Sequence, residues 1–152
     1  MATAATSKAT QVYQIFIKAP PEQIWEAITK TEFRRLYFHG SSIESTFEPG
    51  SRVVSRSPDG AEVWGDNTVL ECDPPWRYSQ TWSSLYDSEL AVEPESRVTW
   101  EIEPQGDGSY CKLTVTHDRL ENSPKTAEKV SGGWLEIISG LKTVVETGLP
   151  LK

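Results

Sequence analysis

Hydrophobic and polar residues follow two different periods along this chain, and the change between them outlines the predicted elements. Residues 97–104 and 110–120 alternate between apolar and polar side chains, as strands with one buried face do. In residues 125–147, apolar side chains instead recur every three or four positions, which is typical of an amphipathic helix. Gly148 and Pro150 follow this segment, and both residue types are common where a helix ends.

The earlier part of the chain predicts one strand and two short helices, followed by further strands. "VYQIFIKA" (residues 12–19) has the composition of a strand. "PPEQIWEAIT" (20–29) has proline where a helix would begin, and "EFRRLYF" (32–38) predicts a second helical turn ended by Gly40. Further strand candidates, separated in part by the turn signals "EPGS" and "PDGA", are residues 43–47, 52–57, 62–73 and 76–82.

This order of elements predicts an α+β fold. Strands joined by hairpins form an antiparallel sheet with one buried face, and one long helix is the natural cover for that face. We therefore expect a curved antiparallel sheet of six to seven strands wrapped around a long C-terminal helix, with two short helices after the first strand. Residues 11–152 are expected to form a single domain, and residues 1–10 a disordered N-terminal tail.

The predicted C-terminal helix contains glycines where a helix would normally avoid them. Each glycine inside a helix costs roughly 1 kcal/mol relative to alanine. Gly133, Ile137 and Gly140 share one stripe of the buried face. Two interpretations remain open: a strand or tryptophan packs closely on the bare backbone, or the missing side chains leave a cavity for a ligand. Gly132 lies nearer the polar side, where we expect at most a local bend.

Charge and composition exclude some classes of partner. The chain has 152 residues with 15 basic and 22 acidic side chains, a formal net charge of −7. Binders of nucleic acid or anionic membranes usually carry a basic excess, so we expect neither partner. No apolar run reaches the length of a membrane span and the N terminus lacks a signal-peptide pattern, so the predicted location is the cytoplasm. Cys72 and Cys111 are not at zinc-ligand spacing; we predict free thiols, no metal and no cofactor.

Several segments together resemble the SRPBCC superfamily, which has the helix-grip or START-like fold. Within it, the chain is most similar to the family named after the C-terminal domain of the ATPase activator of the ninety-kilodalton heat-shock protein. The segments that carry this resemblance are "IFIKAPPEQIWEAIT", "EPGSRV", "LECDPPWRYSQTW", "RVTWEIEPQGDGSYCKLTVTHDRL" and "GGWLEIISGLKTVVETG". The resemblance implies a START-like domain over residues 11–152 with a deep cavity between the long helix and the sheet, of the kind that members use for lipids, sterols or polyketides.

The candidate ligand-binding residues are those that this fold would place near such a cavity. Aromatic side chains with a few polar groups are typical of small-molecule sites. The candidates are Tyr37, Phe38, Trp64, Tyr78, Gln80, Trp82, Trp100, His117, Gly133, Ile137 and Gly140. His117 is the only imidazole predicted to point inward, so it is either a hydrogen-bonded structural histidine or a contact or general base in the site.

Three functions remain open from the sequence. The leading hypothesis is binding of an apolar or aromatic small molecule, lipid-like or polyketide-like. The second is an enzyme of the cyclase or aromatase type, with His117 as its acid or base, although no Ser-His-Asp or Cys-His motif and no phosphate-binding loop is present. The third is a protein-interaction module that helps a chaperone; the eukaryotic activator carries another domain for that contact, for which this chain has no room, so this role is not favoured.

Overall fold

The computed structural model describes residues 3–6 and 9–152, with side chains from residue 9 onward. Its strands form one antiparallel sheet in the order β1-β2-β8-β7-β6-β5-β4-β3. The strands are β1 (Thr3–Thr6), β2 (Gln11–Ile17), β3 (Ser42–Glu44), β4 (Arg52–Arg56), β5 (Val63–Asp73), β6 (Arg77–Trp82), β7 (Ser96–Gln105) and β8 (Tyr110–Asp118). The predicted α+β class and curved antiparallel sheet are confirmed, with eight strands in place of six to seven.

The additional strand is β1, which falls within the predicted disordered tail of residues 1–10. Its backbone pairs antiparallel with β2, with Thr6 opposite Gln11. Residues 1, 2, 7 and 8 of that predicted tail lie outside the described residues. At the opposite edge of the sheet, β3 is shorter than the predicted strand 43–47 because the chain leaves the ladder after Glu44.

Two short helices follow β2, as predicted. They are α1 (Pro21–Thr29) and α2 (Thr31–Tyr37). A third helix, α3 (Ser88–Ala91), was not predicted because it is only one turn long. It begins where the Asp87 carboxylate accepts hydrogen bonds from the backbone N–H groups of Glu89 and Leu90, a standard way to satisfy the first donors of a helix.

The C-terminal helix differs from the single helix predicted over residues 125–147. It consists of α4 (Pro124–Ser131) and α5 (Trp134–Thr147), with Gly132 and Gly133 between them. Both glycines keep right-handed backbone angles, but the Gly133 N–H donates to the Val130 carbonyl at 3.0 Å, as in a tighter turn. Consecutive glycines weaken a helix by roughly 1 kcal/mol each, and Gly/Ser pairs are common interruption sites.

The core lies between α5 and the concave face of the sheet. α5 packs against β2, α1 and α2, and its buried side chains include Ile138, Leu141 and Val144. In β8, the alternate residues Cys111, Leu113, Val115 and His117 are all buried, which confirms their predicted inward parity. Within the described residues, no helix combines the length and apolar character that crossing a membrane would require.

Candidate functional site

A cavity of about 420 Å³ lies between the α4–α5 junction, α2 and the β4–β6 part of the sheet. This volume falls within the range of roughly 300–1,000 Å³ typical of small-molecule sites. The lining residues from the sheet and its loops are Ser41, Ile43, Val53, Ser55, Trp64, Gly65, Asn67, Gln80, Trp82, Ser83 and Tyr86, and those from the helices and the end of α2 are Arg34, Phe38, His39, Lys129, Val130, Gly133, Trp134 and Ile137.

Aromatic rings form much of the cavity wall. The Trp82 ring centroid lies 5.7 Å from that of Trp134 and 6.3 Å from that of Phe38. Phe38 meets Trp134 edge-on at 6.1 Å. Farther along the wall, Trp64 lies 6.3 Å from Tyr86. Such rings offer a large apolar contact area with few rotatable bonds, so this wall suits an apolar or aromatic ligand.

Gly133 contributes to the cavity by having no side chain. A Cβ built on Gly133 would find no heavy atom closer than the Val130 carbonyl oxygen, at 3.8 Å. A Cβ at this position would therefore make only ordinary van der Waals contacts, and Gly133 borders the cavity. The cavity interpretation of the glycine stripe is supported here, at the junction where α4 ends and α5 begins.

The other glycine of the stripe is explained by close packing. A Cβ on Gly140 would lie 3.0 Å from the Cβ of Tyr37 and 3.7 Å from its Cα. The absent side chain lets the α2 backbone approach α5. Gly140 therefore has the packing role that was the alternative interpretation, although the neighbour is a helix rather than a strand or a tryptophan.

The polar groups on the sheet side of the cavity are held by their neighbours. Gln80 accepts a hydrogen bond from the Tyr78 hydroxyl at 2.6 Å and donates to the Thr81 carbonyl at 3.0 Å. Asn67 Oδ1 accepts from the Ser83 hydroxyl at 2.9 Å. These contacts fix the amide orientations, so the sheet presents a rigid mixed wall of aromatic and amide groups.

Arg34 is the one buried charged side chain in the cavity wall. It is 3% exposed, and its guanidinium carbon lies 4.1 Å from the centroid of the Phe38 ring. Nη1 donates to the Ile28 carbonyl at 3.4 Å, while Nε is buried without a hydrogen-bond partner. Burial lowers the pKa of Arg34 from its ordinary value, but an arginine keeps its proton in a protein.

His117 lies behind the aromatic wall and does not line the cavity. Trp134 Nε1–H donates to its Nδ1 at 3.1 Å, and its Nε2 lies 2.7 Å from Ser96 Oγ. Because an indole can only donate, Nδ1 must be unprotonated, and the neutral ring then carries its proton on Nε2 and donates to Ser96. Burial lowers the pKa of His117 to about 3. The geometry is that of a neutral structural histidine joining β7, β8 and α5.

The structure brings six of the eleven predicted site residues together around the cavity. They are Phe38, Trp64, Gln80, Trp82, Gly133 and Ile137. The others, which lie in the surrounding core, are Tyr37, Tyr78, Trp100, His117 and Gly140.

Each of these core residues has a packing reason for its position. Tyr37 turns its hydroxyl away from the cavity to donate to the Ala27 carbonyl at 2.6 Å. Tyr78 meets Phe47 edge-on at 5.4 Å, and Trp100 likewise meets Trp134 edge-on at 5.6 Å. These residues therefore support the cavity wall and do not face its interior.

Sequence reasoning missed Arg34, although a signal was present. On a helix, residues at spacings of three and four share one face, so Arg34 lies on the same face as Tyr37 and Phe38. Those two residues were already candidates. The neighbouring Arg35 is exposed, which shows that the position on the helix, and not the residue type, decides which arginine enters the cavity.

A curved antiparallel sheet that holds a C-terminal helix over an internal cavity defines a helix-grip, START-like protein. Within that class, residues 18–146 match the family described as Activator of Hsp90 ATPase homolog 1-like protein. The chain belongs to this family, which confirms the predicted superfamily. Among curated protein sequences, none matches the chain significantly.

Solved structures with low sequence identity share the fold. CalU16 from Micromonospora echinospora matches with a TM-score of 0.71 and 18% identity, over 99% of this chain and 84% of that chain. The Aha1 dimer from Colwellia psychrerythraea matches with a TM-score of 0.70 and 17% identity, over 91% and 97%. DynU16, a protein in the dynemicin biosynthetic locus, matches with a TM-score of 0.71 and 23% identity, over 95% of this chain and 49% of that chain.

Proposed function

We propose that this protein binds an apolar or aromatic small molecule, lipid-like or polyketide-like, in the cavity between α5 and the sheet. The observation that carries the proposal is the cavity of about 420 Å³, with Trp82, Trp134 and Phe38 on its wall and Gly133 at its edge. Burying apolar ligand surface against such a wall contributes roughly 25 cal/mol per Å² before the entropic cost of association. The structural neighbour from a biosynthetic locus agrees with a small-molecule ligand.

The enzyme hypothesis receives no support from His117. Its Nδ1 lone pair accepts the Trp134 N–H, its Nε2 contacts Ser96, and neither partner is Gln80 or Tyr78. With its pKa lowered to about 3, the ring is a poor general base near neutral pH, because efficient bases have pKa values near the working pH. The protein-interaction hypothesis rests on the family name alone.

The proposal can be tested with two neutral probes, decanol and naphthalenemethanol, titrated into isotopically labelled protein. We expect amide chemical-shift changes concentrated around the cavity, at positions such as Phe38, Gly65 and Gly133. The matched control is Gly133→Leu, whose side chain would occupy the cavity and abolish these changes. The proposed function would be contradicted by shifts that scatter over the surface or persist unchanged in Gly133→Leu, or by the absence of shifts with both these alcohols and the carboxylic acids of the same carbon skeleton.

A further inference from the structure

The buried charge of Arg34 has no counter-charge in the described residues. No carboxylate lies within ion-pair distance of its guanidinium, although ten such pairs form elsewhere in the described chain. Burial is the main influence on the pKa of Arg34, followed by the hydroxyls of Tyr37 and Tyr78; both hydroxyls are uncharged at neutral pH because burial raises their pKa values. A buried charge is costly unless it is paired, so an anion bound beside this guanidinium would be stabilising.

Two contacts offset part of that cost without pairing the charge. The Phe38 ring supplies a cation–π contact at 4.1 Å. The Ile28 carbonyl, at the C-terminal end of α1, accepts a hydrogen bond at 3.4 Å, and cations are favoured at that end of a helix. A guanidinium has five N–H donors, and one long hydrogen bond satisfies few of them. Nε is enclosed by protein, so contact with a ligand falls to the N–H groups of Nη1 and Nη2.

The charges of the other residues in the cavity wall also favour an anionic ligand. The chain carries 22 acidic residues against 15 basic ones, yet none of the lining residues, all of which are described, has a carboxylate. The wall instead presents Arg34 and, as an exposed side chain, Lys129. In an acidic protein, a wall with two cations and no acid favours an anionic group in the cavity over a second cation or a neutral lipid.

We propose that Arg34 anchors a carboxylate of the ligand, so that the cavity takes apolar or aromatic carboxylic acids in preference to their neutral analogues. The carboxylate would lie against the guanidinium, and the apolar body would extend along Phe38 and Trp82 toward Gly133. Guanidinium–carboxylate pairs form strong, charge-assisted hydrogen bonds. This inference rests on the proposed small-molecule function and narrows it to a chemical class.

The test compares acids with alcohols of the same carbon skeleton. Decanoic acid against decanol represents acyl chains, and naphthoic acid against naphthalenemethanol represents aromatic acids; affinities are measured by calorimetry at neutral pH. We expect the acid of at least one pair to bind about 10- to 100-fold more tightly than its alcohol, the range of a charge-assisted hydrogen bond. The pair with the larger difference in affinity shows whether the cavity prefers acyl-chain or aromatic carboxylic acids.

Substitution then assigns the preference to a residue. Arg34→Met keeps an unbranched apolar stem and removes the charge, so it should remove most of the difference of about 10- to 100-fold in affinity between acid and alcohol. Arg35→Met, on the exposed side of the same helix, is the matched control and should retain the acid preference. If Arg34→Met does not fold, Arg34→Gln keeps a donor for the Ile28 carbonyl and replaces it in the comparison.

The outcomes separate this inference from the proposed function. Equal affinity for acid and alcohol in the unsubstituted protein, or an acid preference that survives Arg34→Met, would overturn the inference while the cavity function stands. An acid preference that disappears only in Lys129→Met would also overturn the assignment to Arg34. If neither acids nor alcohols bind, the proposed function fails and the inference fails with it.

Discussion

The start of α5 at Gly133 and its middle at Gly140 differ in what surrounds a missing side chain. Gly133 borders the cavity, and a Cβ there would meet only carbonyl oxygens of α4, at 3.8 and 4.0 Å. At Gly140, about two turns farther along, the corresponding space is filled by the backbone of α2 at Tyr37. The first glycine borders the cavity, and the second lets two helices approach closely.

The comparison shows that one helix combines a closely packed middle with an N-terminal end that borders a cavity. Near Gly140, the Tyr37 hydroxyl joins α2 to α1 by donating to the Ala27 carbonyl, and Tyr37 also packs on α5 at Gly140. At the Gly133 end, the wall is held from behind, because His117 fixes Trp134 through a hydrogen bond. A cavity can persist in a small domain when its lining side chains are held by neighbours outside it.

The largest expected loss of stability is for Gly140→Leu, in the closely packed middle of α5. A leucine there would force the α2 backbone away from α5, because the Tyr37 Cβ lies only 3.0 Å from the site of the new Cβ. We expect a loss of about 3 kcal/mol or more in the free energy of unfolding, at the upper end of overpacking costs. Urea denaturation measures this loss, and a stability equal to that of the unsubstituted protein would show that α2 does not pack here.

His117→Gln tests the support behind the open end. The substitution disturbs the hydrogen bonds to Trp134 and Ser96, and a buried donor left without a partner costs about 1–3 kcal/mol. We expect a thermal midpoint several degrees lower, with decanol affinity changed little because His117 does not line the cavity. A large loss of affinity without a matching loss of stability would instead make His117 a ligand contact.

The same histidine predicts a pH dependence. Its pKa falls from 6.5 to about 3 on folding, so between these values the unfolded chain binds the extra proton and the native state does not. Stability should therefore fall as the pH drops from about 6.5 toward 5, where carboxylates with ordinary pKa values near 4 contribute little. In His117→Gln this slope should largely disappear; an unchanged slope would contradict the neutral, buried ring.

Tyr37→Phe is a milder test of the packing around Gly140. Phenylalanine keeps the ring against Gly140 but removes the hydroxyl that donates to Ala27 at 2.6 Å. We expect a loss of about 1 kcal/mol, because the buried carbonyl at the end of α1 loses its partner. Denaturant midpoints measure the change. A loss as large as that of Gly140→Leu would mean that the hydroxyl, and not the close approach of α2 and α5, provides most of the stability of this region.

The order of elements and the sheet-facing positions were predictable from periodicity. The inward parity of Leu113, Val115 and His117 follows from strict alternation, and α1 was marked by its proline. The interruption between α4 and α5 was visible only as Gly132 and Gly133, two adjacent glycines. Their cost to the helix was clear from the sequence, but the place where the helix divides depends on tertiary packing.

The site was less predictable because contacts across the fold decide which side chains face the cavity. Gly133 and Gly140 lie on one helical stripe, and nothing local distinguishes the open environment from the packed one. Arg34 and Arg35 are adjacent and chemically identical in the sequence, while the burial of Arg34 depends on how α2 docks against α5 and the sheet. Tyr78 and Trp100 have the right parity to face inward, yet they lie in the core beside or behind the cavity.

The smallest expected change in stability is for Gly133→Leu, the counterpart of Gly140→Leu at the open end. Gly133 precedes the first turn of α5, where glycine is itself a tolerated cap, so leucine should gain less than the roughly 1 kcal/mol of a helix interior. Its Cβ would meet no atom that must move, and we expect the rest of the side chain to enter the cavity that Gly133 borders. We therefore expect the free energy of unfolding to change by less than about 1 kcal/mol in either direction, while binding of decanol is lost. Paired urea melts of Gly133→Leu and Gly140→Leu measure the contrast directly. Equal, large losses of stability in both variants would mean that the space beside Gly133 is closed in solution and that Gly133 and Gly140 are both packed closely.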